Sequence, residues 1–241
     1  MNFTEGNRHF TPTLEEAIVV ERKYTEAFEA GRKAEYDAFW DAFQDYGKRV
    51  NYENAFSGQG TWNDATFKPK YDIILAAGYS GFYMFWSSAI SNIAETLEKC
   101  GVKLDTSRTN VLSQAFQYAK TARIPEIDGS NLRADGLGYT FLSPYIVTID
   151  KLIVPETLKF TSSFDSCNNL RNITFEGTIG NSISFADSPL LTEKSVQSIL
   201  DHLKDLTGQA AQTITFHATV GGKLTNAQKA TITAKNWTLV Y

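Results

Sequence analysis

At 241 residues, 42% hydrophobic and 13% aromatic, the chain is long enough to bury a sizeable core in one or two units. A formal charge of −4, from 27 acidic and 23 basic residues, leaves no basic excess for a nucleic-acid backbone. No stretch approaches the roughly 20 apolar residues a membrane span needs; the longest apolar patch, "GFYMFW" at 81–86, is far too short, so no membrane insertion is expected. The start, "MNFTEGNRHFTPTLEEAIVV", lacks the basic-then-apolar order of a secretory leader. Two cysteines, Cys100 and Cys167, cannot be a disulfide framework and suit a reducing cytoplasm.

Residues 13–46 lack proline and are rich in Ala, Glu and Lys, which favours helix. Leu14, Ile18, Thr25, Phe28, Phe39, Ala42 and Tyr46 fall mostly at three- and four-residue intervals along one apolar edge, interrupted by Arg32 and Glu35. That edge, with Leu14, Ile18, Phe28 and Phe39 as its large members, suits partner helices and hence a homo-oligomer, or a helix folded back on its own body. The Asn-, Gly- and aromatic-rich stretch 51–73 reads as a connector, leading to the strand-length runs "IILAA" and "FYMFW". Next, "SNIAETLEKCG" (91–101) predicts a helix capped by Ser91 and ended by Gly101.

A repeat follows. Phe116 has Ala119 at +3, Ala122 at +6 and Ile127 at +11; Phe141 has Pro144, Val147 and Leu152; Phe164 has Cys167, Leu170 and Phe175. Phe185 has Ser188 and Leu191, after which the pattern gives way to a helix. Successive phenylalanines are 25, 23 and 21 residues apart. Self-similarity at such a period predicts a leucine-rich-repeat solenoid whose units bury their apolar edges only by stacking. The four phenylalanines should form one buried column, with Ile127, Leu152 and Phe175 in a neighbouring one. Then "TEKSVQSILDHLKDLTG" predicts an amphipathic helix with Val196, Ile199, Leu200, Leu203 and Leu206 on one face, ending at Gly208. A strand at 212–218, a short helix in "TNAQKATITAKN" and a strand at 237–241 complete a tail placed to shield the solenoid end.

The expected class is therefore α/β: a long N-terminal helix, a short solenoid and a helix-strand-helix-strand cap. The divisions fall at 1–50, 51–103, 104–191 and 192–241.

"FDSCNNLRNITFEGT" is similar to the BspA-like leucine-rich repeats of bacterial proteins, whose units read Phe-x-x-Cys-x-x-Leu before a short apolar strand. The segment from Leu191 to Tyr241 resembles the C-terminal module that follows such repeats in proteins of phages and prophages of Gram-positive gut bacteria. Residues 30–73 resemble the segment that precedes them. Pro144 in place of Cys, and Ala122 in place of Leu, depart from the pattern; the second suggests an irregular first strand. The resemblance implies a virion tail, baseplate or tail-tip component, or an attachment protein, with other virion proteins as partners. It carries over no catalytic residues.

The residues themselves offer little chemistry. His9, His202 and His217 lack metal-ligand spacing, and His202 sits on an amphipathic helix. Cys100 precedes a helix-ending glycine, at the negative end of the dipole, and Cys167 fills a packing position. The Gly pairs never complete a phosphate-binding fingerprint. Asp37, Asp41 and Asp45 share one helix face without context that marks a glycosidase pair. No metal or cofactor is expected, and no catalytic residue is assigned. In the strands, Glu126, Lys151, Ile153, Thr174 and Glu176 should face outward in adjacent rows, a shallow mixed-charge surface suited to a host glycan or a protein. The function expected is a non-enzymatic structural or adhesive component of a virion. A bacterial surface adhesin of the same repeat type is the alternative, and a polysaccharide depolymerase a third reading.

Overall fold

In the computed structural model, the residues described are Phe85, Ser87, Ser88, 91–99, Leu104 and 110–241. The expected 13–46 helix with Leu14, Ile18, Phe28 and Phe39, the connector and Cys100 lie outside them. Of the two compact units into which the chain divides, all described residues belong to the one comprising Tyr52–Lys68 and Ser80–Tyr241.

Four short strands, β1 (Arg123–Ile124), β2 (Ile127–Asp128), β3 (Thr148–Val154) and β4 (Asn172–Gly177), form one parallel sheet. β3 lies in its middle, with β4 on one side and β1 and β2 on the other. Pro125 has no N–H to give to a ladder, and it falls where the strand of the first rung is split into β1 and β2. Alternation puts one set of side chains inside. Ile124, Ile149 and Ile173 are register partners, as are Ile127, Leu152 and Phe175, and all six are buried. The class is thus mixed α/β with short parallel strands.

One ring per rung fills the space behind the sheet. Phe116, Phe141, Phe164 and Phe185 are each at most 1% exposed. Their successive ring centroids are 6.0, 5.3 and 4.7 Å apart, close to the 4.7–4.9 Å spacing of neighbouring strands. The column is longer than the repeat in the sequence. Phe85 stacks on Phe116 at 5.3 Å, and Phe216 on Phe185 at 6.2 Å. Both extra rings are 31 residues from their neighbours, because helices α1 (Ile93–Lys99) and α2 (Glu193–His202) are inserted in those two crossovers. So the pattern does not end at Leu191.

The +6 positions expected in the first two units need correction. Ala122 is exposed and Val147 half-buried, whereas Thr121 and Ile146, one residue earlier, are fully buried. Likewise Ser143, not Pro144, takes the buried small-residue place held by Ala119 and Cys167 in the adjacent units. The turn after Phe141 is one residue shorter than that after Phe164, and a register shift between Ile149 and Leu152 restores the residue within β3. The +11 positions coincide because the two irregularities cancel. Buried hydroxyls tie rung to rung: Thr140, Ser143 and Ser163 donate to the carbonyls of Leu112, Ala119 and Leu137 at 2.7–2.8 Å. A buried donor left unbonded would cost more than the bond itself yields.

The exposed edge of β4 is closed by α2. Thr192 caps this helix by accepting from Ser195 N–H. Ser195 and Ser198, one turn apart, accept from the backbone N–H groups of Ile173 and Phe175, both at 2.9 Å. The helix thereby occupies the place where another strand would pair. Ser195→Ala should leave the buried Ile173 N–H without an acceptor and cost about 2 kcal/mol. Thermal melting checks this, with an expected fall of about 4–8 °C. At the opposite end, α1 begins with Asn92 Oδ1 accepting Glu95 N–H, so Asn92 caps it in place of Ser91.

A second parallel sheet follows, β5 (Ile183–Phe185), β6 (Gln212–Phe216) and β7 (Trp237–Val240), in that order. The predicted helix at 192–208 ends early, at His202, because Leu203 is drawn into a parallel bridge with Ile179. Lys235 Nζ donates to the carbonyls of Leu200 and Leu203 at 2.9 and 2.8 Å, satisfying the orphan end of the helix. Between β6 and β7 lie a one-turn helix, α3 (Ala218–Gly221), and α4 (Asn226–Ala234), whose Thr225 and Gln228 form a capping box. The strand β6 carries Phe216, whose ring continues the aromatic column beyond Phe185.

Candidate functional site

The outward side chains of the first sheet form charged rows that run across the rungs. Arg123 reaches Glu98 of α1 at 3.0 Å and Asp150 of β3 at 2.7 and 2.8 Å, the latter through two nitrogens. Lys151 lies between Glu126 at 3.0 Å and Glu176 at 3.2 Å. Each row reads acid, base, acid. The hydrogen bond to Asp150 raises the Arg123 pKa above its usual value, and those to Glu126 and then Glu176 do the same for Lys151. Both bases stay protonated through neutral pH, and the pairing holds register more than it stabilises, since exposed ion pairs contribute little.

Of the five residues expected on this surface, Glu126, Lys151 and Glu176 are brought together as that one triple. Ile153 is half-buried and in register with Asp128 and Glu176, and Thr174 is exposed in the middle of β4. Of the three N–H donors of Lys151, two face carboxylates.

A second surface lies along the corners on either side of the phenylalanine column. Two residues before the ring, Gln114, Tyr139 and Ser162 have φ of 59°, 56° and 49°; two residues after it, Ser87, Tyr118 and Ser166 have 51°, 57° and 57°. The left-handed turn aims backbone N–H groups at the next rung. Gln114 donates to Gly138 O, Tyr139 to Thr161 O, Ser87 to Gln117 O and Tyr118 to Leu142 O, at 2.8–3.0 Å. For L-residues this conformation costs roughly 1–2 kcal/mol each. Tyr118, Tyr139 and Tyr145 are 49%, 43% and 49% exposed on two adjacent rungs. Residue spacing did not single these out. The available signal was compositional: 111–119 and 136–149 contain no charged residue and no histidine, in a chain that is 21% charged.

The remaining reactive groups are engaged in structure. Cys167 Sγ donates to Phe141 O, and burial pushes its pKa up to about 12, so the thiolate is scarce at neutral pH. His202 Nδ1 lies 2.7 Å from Ser198 O within α2, and His217 Nδ1 accepts Thr219 N–H to cap α3. Among the described residues no group of three or more His, Cys, Asp or Glu could hold a metal ion, and no helix is long and apolar enough to cross a membrane. No family model matches the chain, and no curated protein or solved structure matches it.

Proposed function

We propose that the chain is a structural and adhesive component of a phage or phage-like particle, in its tail, baseplate or tail tip. A leucine-rich-repeat solenoid stands outward and presents rows of side chains to a host-surface glycan or protein. The 13–46 helix joins copies of the chain or another virion protein. One observation carries this reading: parallel rungs stacked on a continuous column of buried phenylalanine rings, leaving the intervening side chains in ordered outward rows. Two further features support it. Helix α2 blocks the free edge of β4, as suits a protein exposed beside many copies of itself. The outer strand face carries two acid–base–acid triples, an ordered polar surface of the kind a glycan or protein partner can meet.

The test is attachment. Labelled full-length protein should coat host cells or isolated cell wall, and gold-labelled antibody should mark the tail region of particles. Replacing Lys151 and Glu176 together by Ala should weaken attachment several-fold at an unchanged melting temperature, because both side chains are partly exposed. Absence of the protein from particles, together with failure to bind host wall, would overturn the proposal. Its presence on the surface of the producing cell would favour the adhesin reading.

A further inference from the structure

We draw no further inference here: the strongest candidate, the outer edge of β7 with the exposed Val240 and Tyr241 at its end, is the last strand of its sheet among the described residues, and nothing in the structure shows what covers it.

Discussion

Phe164→Ala should be the most destabilising single truncation in the ring column, at about 3–5 kcal/mol. Its ring is 1% exposed and lies 5.3 Å from Phe141 and 4.7 Å from Phe185 in the column, with Phe160 and Phe175 at 6.3 and 6.5 Å beside it. Four aromatic neighbours would lose contact at once, and the cavity has rigid walls on the sheet side. The loss compares with a total stability of about 5–15 kcal/mol for ordinary domains. Urea denaturation followed by circular dichroism measures it. Stacked rungs couple mainly to their neighbours, so a broadened or split transition is expected, as the halves on either side of the gap lose contact. Phe164→Leu should cost distinctly less. A loss from Phe164→Ala below about 1 kcal/mol, small even for a single deleted methylene, would show that the column is not continuous there.

Gly177→Ala should cost about 2–4 kcal/mol, of which roughly 1–2 is conformational. Gly177 has φ of 85°, and a Cβ there would lie 2.3 Å from Val154 O. That oxygen belongs to the register partner of Gly177 and accepts Thr178 N–H at 3.1 Å. Accommodating the methyl would push β3 and β4 apart at the end of their ladder. Gly208 provides the comparison, with φ of 75° and nothing within 4 Å of its would-be Cβ. Gly208→Ala should therefore show the conformational cost alone, about 1 kcal/mol. The difference between the two midpoints in denaturant isolates the close approach. Equal losses would mean that the sheet yields freely at Gly177.

The phenylalanine period is legible in the sequence because each rung must bury one large ring, whatever its turn does. Transfer of such a ring from water contributes about 1.5–3 kcal/mol, enough to keep it in phase over several units. Strand alternation likewise exposed Glu126, Lys151 and Glu176 on the outer face. Their meeting as one triple needed the register, which is a property of three rungs together. The +6 positions misled because a shortened turn and a shifted register cancel, a compensation between segments that spacing from one phenylalanine does not display. Phe85 and Phe216 escaped the count for a related reason: an inserted helix lengthens each of their crossovers without breaking the stack. The helix end at His202 was set by Leu203, whose burial against Ile179 outweighed a helical pattern running on to Leu206. The tyrosine corners lie furthest from sequence reasoning. Their left-handed backbone is imposed by hydrogen bonds to the following rung, and no residue type there announces it. Periodicity by itself determined the four central rings and the +11 strand positions that are inside, because each rung must bury them whatever its turn does. Only the stacking of rungs decided which of the outer ones stand together.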